Sequence, residues 1–129
     1  ERRGLVLIDP SFEQKDEFET LADRFAEAYA KWPTGSYLIW YPVKSRRITD
    51  NLARHVAAVT AESRPAGKSL RLEFSVAPQQ AGGPLTSTGL LIVNPPWTLA
   101  GELKTILPEL EKPLGQGGAS RFRLETPKP

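Results

Sequence analysis

An α/β domain with a mostly parallel sheet is predicted, on three observations. The run Leu5-Val6-Leu7-Ile8 is unbroken by polar residues, the habit of a central strand buried on both faces beneath covering helices. Similar short apolar runs alternate along the chain with stretches whose apolar residues recur at three- and four-residue steps. Proline, glycine and asparagine clusters punctuate the boundaries between them. At 129 residues the chain has the size of one α/β domain, residues 1–129, with room for a core.

Taken in order, the first strand stops at Asp9-Pro10-Ser11-Phe12, and the acidic lead-in Glu13 to Glu17 suits the positive end of a helix. Phe18, Leu21, Ala22, Phe25, Ala28, Tyr29 and Trp32 form that helix's apolar stripe, which Pro33 and Gly35 end. Ser36 to Tyr41 is a second strand closed by Pro42. Lys44-Ser45-Arg46-Arg47 leads into a second helix with Ile48, Leu52, Val56 and Val59 inward. Beyond a loop at Ser63 to Gly67, Ser69 to Val76 alternates so that Leu70, Leu72, Phe74 and Val76 face the core and Arg71 and Glu73 face solvent. Pro78 to Ser87 is a long loop, and Gly89 to Val93 is a buried strand halted by Asn94-Pro95-Pro96-Trp97. Thr98 is placed to cap a third helix, with Leu99, Leu103, Ile106, Leu107 and Leu110 inward and Pro108 bending it. Gly115 to Gly118 turns the chain, Arg121 to Glu125 is a short edge strand, and Pro127 to Pro129 frays. The penultimate and last strands are expected to form an antiparallel pair.

Composition narrows the function classes. No cysteine is present, which removes disulfides and cysteine-ligated metal sites, and a cytoplasmic setting is the default. No apolar stretch approaches membrane-span length. Seventeen basic and fifteen acidic residues leave a formal charge of +2, too small by itself to mark a nucleic-acid binder. The chain opens at Glu1, holds no methionine and enters a strand within a few residues, so a piece of a longer polypeptide is expected. His55 has no carboxylate or second histidine at ligand spacing, and neither a metal cluster nor a phosphate-cradling glycine loop is found.

In open α/β sheets ligands bind beyond the carboxyl ends of the strands, which directs attention to Asp9-Pro10-Ser11-Phe12. The Asp9 carboxylate can accept one N–H of an exocyclic amine, the Pro10 carbonyl another, and the Phe12 ring can stack on the base carrying it. Two acceptors on one nitrogen draw it toward tetrahedral geometry and free its lone pair for an electrophilic methyl. Proline's fixed backbone angle aims the carbonyl in advance. The same residues also suit a plain turn that starts the next helix. Lys44, Arg46 and Arg47 lie on the same rim, where they suit phosphates flanking a base, or simply a solvated helix start.

Gly4 to Glu13, G-L-V-L-I-D-P-S-F-E, resembles the D-P-P-Y/F motif of amino-methyltransferases, and the wider match is to the RlmJ family. Thr34-Gly35-Ser36-Tyr37, Trp40-Tyr41-Pro42-Val43, Leu72-Glu73-Phe74, Ser87-Thr88-Gly89 and Val93 to Trp97 are similar to that family at corresponding places. The resemblance implies the C-terminal, substrate-side half of a class I, Rossmann-like methyltransferase that uses S-adenosylmethionine to methylate N6 of an adenine in 23S ribosomal RNA. It implies catalytic roles for Asp9, Pro10 and Phe12, a substrate-lining role for Ser11, and a monomeric protein without metal or membrane. Asp9 would also border the cofactor, whose glycine-rich turn and second acid are absent from residues 1–129, so little catalysis is expected of this chain alone. Ser11 stands where the family has a second proline, which loosens the loop.

Asn94-Pro95-Pro96-Trp97 fits an N-P-P-aromatic pattern better on paper. Chain length favours the first motif, because the residues after Phe12 supply the strands and helices that a class I fold places beyond its catalytic loop. Trp97 is then expected to pack rather than to stack on substrate. Two other functions keep the fold: a non-catalytic binder of nucleic acid serving external-DNA utilisation, and an amino-group methyltransferase acting on a small molecule or a protein amide.

Overall fold

The computed structural model describes residues 3–125, so the expected fraying of Pro127 to Pro129 lies outside the described residues. The elements run in the order β1 (Leu5–Ile8), α1 (Glu17–Lys31), β2 (Ser36–Pro42), α2 (Arg46–Glu62), β3 (Ser69–Ser75), β4 (Ser87–Val93), α3 (Leu99–Leu114) and β5 (Arg121–Glu125). Each sits where periodicity places it, and Gly117 and Gly118, both at positive φ, make the turn before β5.

The five strands form one sheet in the order β1-β2-β4-β3-β5. Among the described residues only β1 and β2 are parallel; β2 with β4, β4 with β3 and β3 with β5 are antiparallel. The sheet is therefore mixed, which corrects the expected mostly parallel one. The cause is β4, which returns from the β3 loop and inserts between β2 and β3 instead of crossing over a helix. The last strand also pairs with β3 rather than with the penultimate β4.

Helices α1 and α2 cover one face. Phe25 and Tyr29 from α1, Leu52 and Val56 from α2, Tyr37, Ile39 and Tyr41 from β2, and Leu91 and Val93 from β4 form a single cluster. Phe25, Tyr29 and Tyr37 meet ring to ring at centroid distances of 5.4–5.6 Å. Burial of rings this size supplies about 1.5–3 kcal/mol each. The other face holds the buried cross-strand pair Leu70 and Ile92. There α3 lies against β5 and buries Leu107, while Ile106 and Leu110 stay exposed, so its inward stripe is narrower than expected. Thr98 is helical in conformation and makes no side-chain cap bond.

Two further expectations are corrected. β1 is the outer strand among the described residues, and its Leu5 and Leu7 are 64% and 67% exposed, so it is not buried on both faces. In β3 the polar side is not solvated, because α2 lies over it and Arg71 and Glu73 are buried. Their charges are satisfied in a compact network. Arg71 donates to Glu73 at 2.7 Å and to Asp50 of α2 at 2.7 Å, Tyr41 donates to Glu73 at 2.9 Å, and Arg46 pairs with the other Glu73 oxygen. Gly89 is required beside this network, since a Cβ there would lie 2.2 Å from the Tyr41 ring.

Candidate functional site

Because β1 and β2 are parallel, their carboxyl ends share one rim of the sheet, and the antiparallel register brings the start of β4, the end of β3 and the start of β5 to the same rim. Asp9 to Phe12 leaves β1 there, and Lys44 comes after β2 there. Asn94 lies at the opposite rim, because β4 runs against β2 and Val93 pairs with Tyr37. The two motifs therefore sit at opposite rims of the sheet.

The Asp9 carboxylate is exposed and has no hydrogen-bond or ion-pair partner among the described residues. Pro10 is half-buried. Ser11 donates its hydroxyl to Glu17 at 3.0 Å, and the other Glu17 oxygen accepts the Gln14 amide at 3.0 Å. The first turn of α1 thus ties the loop where the second proline is missing. Phe12 has φ 54°, a left-handed conformation that costs a bulky residue about 1–3 kcal/mol. Its ring is held 4.6 Å from Phe18 and 6.1 Å from Trp40. Strain retained at a strand end, and offset by ring packing, commonly marks a functional loop.

Beside this loop a cleft of about 500 Å³ is lined by Ser11, Phe12, Phe18, Trp40, Lys44 and Leu85, a volume and aromatic lining suited to a planar base. Lys15 opens onto it as well. Sequence reasoning missed Trp40, Leu85 and Lys15 as lining. Trp40 carried a signal, since alternation in β2 turns it away from the Tyr37-Ile39-Tyr41 side. Leu85 carried none, because it arrives on the loop between β3 and β4.

The three predicted cations diverge. Lys44 lines the aromatic cleft. Arg46 is paired with Glu73, although half of its side chain stays exposed. Arg47 faces a separate groove between α1 and α2, shared with Glu19, Asp23 and His55. Behind the rim, burial works against the Glu73 carboxylate, but hydrogen bonds from Arg46 and Tyr41 and the charge of Arg71 outweigh it and lower its pKa. The hydrogen bond from Arg71 lowers that of Asp50. Burial pushes the Tyr41 hydroxyl well above its ordinary value.

At the opposite rim Asn94 also has positive φ, 51°, which asparagine tolerates. Its side-chain amide donates to the Pro33 and Gly35 carbonyls, both at 2.9 Å, and its backbone carbonyl accepts the Ser36 hydroxyl at 2.9 Å. Trp97 is 94% exposed, which overturns the expectation that it packs. Among the described residues no group of three His, Asp or Glu side chains is placed to hold a metal ion, and no helix is long and apolar enough to cross a membrane.

The family model described as "Ribosomal RNA large subunit methyltransferase D, RlmJ" matches residues 1–125. The chain is 38% identical over 125 residues to a protein of Haemophilus influenzae named ribosomal RNA large subunit methyltransferase J, covering 97% of this chain and 43% of that protein. Its identity to the Escherichia coli protein of the same name is 34% over 122 residues, covering 92% and 42%. The crystal structure of protein LPL1258 from Legionella pneumophila, assigned to DUF519, superposes with a TM-score of 0.84 at 33% identity, covering 98% of this chain and 45% of that one. The chain spans less than half the length of these relatives. With a family match running from the first residue to the end of β5, this chain belongs to the RlmJ family of ribosomal RNA large subunit methyltransferases.

Proposed function

We propose that this chain is the substrate-side half of a class I methyltransferase domain, which transfers a methyl group from S-adenosylmethionine to N6 of an adenine in 23S ribosomal RNA, in the cytoplasm and as a monomer. The observation that carries this reading is the Asp9-Pro10-Ser11-Phe12 loop: at one strand end Asp9 is exposed with no partner among the described residues, Pro10 borders a separate groove beside α1, and Ser11 and the strained Phe12 line the aromatic cleft. The description of the family and the names of the relatives support methyl transfer to large-subunit ribosomal RNA.

S-adenosylmethionine supplies an electrophilic methyl when bound. Residues 1–129 fit one flank of such a cofactor only, through Asp9, because the glycine-rich turn and second acid that the resemblance calls for are absent from this sequence. The exposed Leu5 and Leu7 and the outer edge of β1 suit a seam with the cofactor-binding half. On the amine side, Asp9 and the Pro10 carbonyl accept the two N–H groups, the Phe12 ring stacks on the adenine, and Ser11 lines the pocket while holding Glu17. The amine needs no strong base, since its proton can leave after the methyl arrives. Lys44 and the exposed part of Arg46 position neighbouring phosphates, whereas Arg47, in the groove with Glu19 and Asp23, is set apart from them.

The test is Asp9→Ala in the full-length protein, assayed on undermethylated 23S ribosomal RNA. Loss of transfer with RNA binding retained is the expected result, and transfer at the parent rate overturns the assignment. A parent protein that binds nucleic acid but methylates no adenine would point instead to a non-catalytic binder.

A further inference from the structure

A second cleft, of about 320 Å³, adjoins the aromatic one on the side toward β5, and Lys44 lines both. Lys44, Arg46, Arg121, Ser75, Gln79 and Ser87 line it, with no carboxylate among its lining residues. The hydroxyls of Ser75 and Ser87 sit 2.7 Å apart, at the cross-strand pair that ends β3 and begins β4. Arg121 is brought there by the register of β5, where it pairs with Ser75.

The charge arrangement needs a counterpart. The first turn of α2 has no acidic residue, and its Ser45 N-cap makes no side-chain hydrogen bond. The positive end of the helix therefore adds to Lys44, Arg46 and Arg47 instead of offsetting them, the reverse of the usual preference for acids at that position. Of Lys44, Arg46 and Arg47, Glu73 pairs with Arg46 only, and it is already shared with Arg71 and Tyr41. Arg121 has no hydrogen-bond or ion-pair partner among the described residues, whereas Arg123 on the same strand is paired with Glu125 and lies 3.8 Å from Asp50. Lys44 and Arg121, unpaired among the described residues, with Arg46 shared with Glu73 and a serine pair beside them, line one cleft that has no carboxylate of its own, which suits a tetrahedral oxyanion.

We infer that the Lys44–Arg46–Arg121 cleft is a phosphate subsite, taking a backbone phosphodiester of the strand whose base enters the Phe12 cleft, so that the nucleic acid runs along the rim from β1 toward β5. This rests on the reading of the Phe12 cleft given above and adds to it a direction and a residue, Arg121.

Salt-dependent binding of a short single-stranded RNA to the full-length protein tests this. For single strands each phosphate contact contributes about 0.7 to the slope of log K against log salt. Arg121→Gln should weaken binding and flatten the slope by about that amount, and Arg123→Gln should do neither. A DNA strand of the same sequence should lose the same slope, since the contact is to phosphate. An unchanged slope in Arg121→Gln, an equal loss in Arg123→Gln, or a loss confined to RNA or to DNA would each overturn the subsite. The two readings fail separately. Slope loss in a protein that transfers no methyl group keeps the subsite and removes the reaction, and methyl transfer with an unchanged slope does the opposite.

Discussion

Two rims of one sheet carry motifs that look alike and are used differently. Asp9-Pro10-Ser11-Phe12 leaves its acid without a partner among the described residues and turns its aromatic ring into a cleft. Asn94-Pro95-Pro96-Trp97 commits its polar side chain to the Pro33 and Gly35 carbonyls and leaves its ring in solvent. Each has one residue at positive φ, but on one rim it is the asparagine that tolerates it and on the other a phenylalanine that does not. Similar tetrapeptides thus separate by what their polar groups bond to: the bonded Asn94 amide stitches the fold, whereas the Asp9 carboxylate is left to solvent, as the proposed reaction requires.

The largest effect expected from breaking this contrast is catalytic. Asp9→Asn keeps the shape of the side chain but loses its charge and one acceptor. Methyl transfer by the full-length protein should fall by about 10²–10³-fold, the usual cost of removing one preorganised polar contact. Thermal unfolding should be unchanged. At the other rim the signs reverse. Asn94→Ala leaves two carbonyls without their donor and puts at positive φ a residue that tolerates it less well, a loss of about 2–4 kcal/mol in urea unfolding. Asn94→Gly, which relieves the backbone but not the carbonyls, should recover about 1 kcal/mol of that.

A smaller effect comes from the charge network linking α2 to β3 behind the Asp9 rim. The pKa values of Glu73 and Asp50 are lowered in the folded chain, so their contribution to stability is complete above the ordinary carboxylate range and is lost as pH falls through it. Tyr41 is raised, so it favours the folded chain until pH exceeds the ordinary tyrosine value, and its contribution falls beyond that. Unfolding free energy against pH should therefore drop at both ends. Glu73→Gln should flatten the acid limb while lowering stability at neutral pH, because buried Arg71 loses the more buried of its two carboxylate partners and keeps only Asp50.

The order of the eight elements was legible because each depends on local spacing, and the strand-end position of Asp9 came with it. What depends on distant partners was not legible. The insertion of β4 between β2 and β3 is a non-local choice that no segment encodes by itself, and it converts an expected mostly parallel sheet into a mixed one in which three of the four pairings among the described residues are antiparallel. Alternation in β3 separates Arg71 and Glu73 from Leu70 and Leu72, but period-2 spacing is symmetric between faces and cannot say that α2 covers the charged one. The Phe12 cleft was half legible. Its β1 loop could be read from the motif, whereas Trp40 and Leu85 join it only through strand pairing and a long loop.

The smallest expected effect is the sharpest test of the contrast between the rims. Trp97 is the bulkiest residue of the second motif and at 94% exposure it has almost no burial to lose, so Trp97→Ala should shift stability by no more than about 0.5 kcal/mol. Methyl transfer and RNA affinity should stay at the parent values, because Trp97 lies on the rim opposite Asp9. Phe12→Gly should separate activity from stability in the other direction. It relieves backbone strain and deletes ring contacts to Phe18 and Trp40, effects of similar size and opposite sign, while removing the surface on which the base would stack. A Trp97→Ala protein that unfolds normally but loses methyl transfer would mean that the substrate reaches around to the second rim, and the division of labour between the two motifs would have to be abandoned.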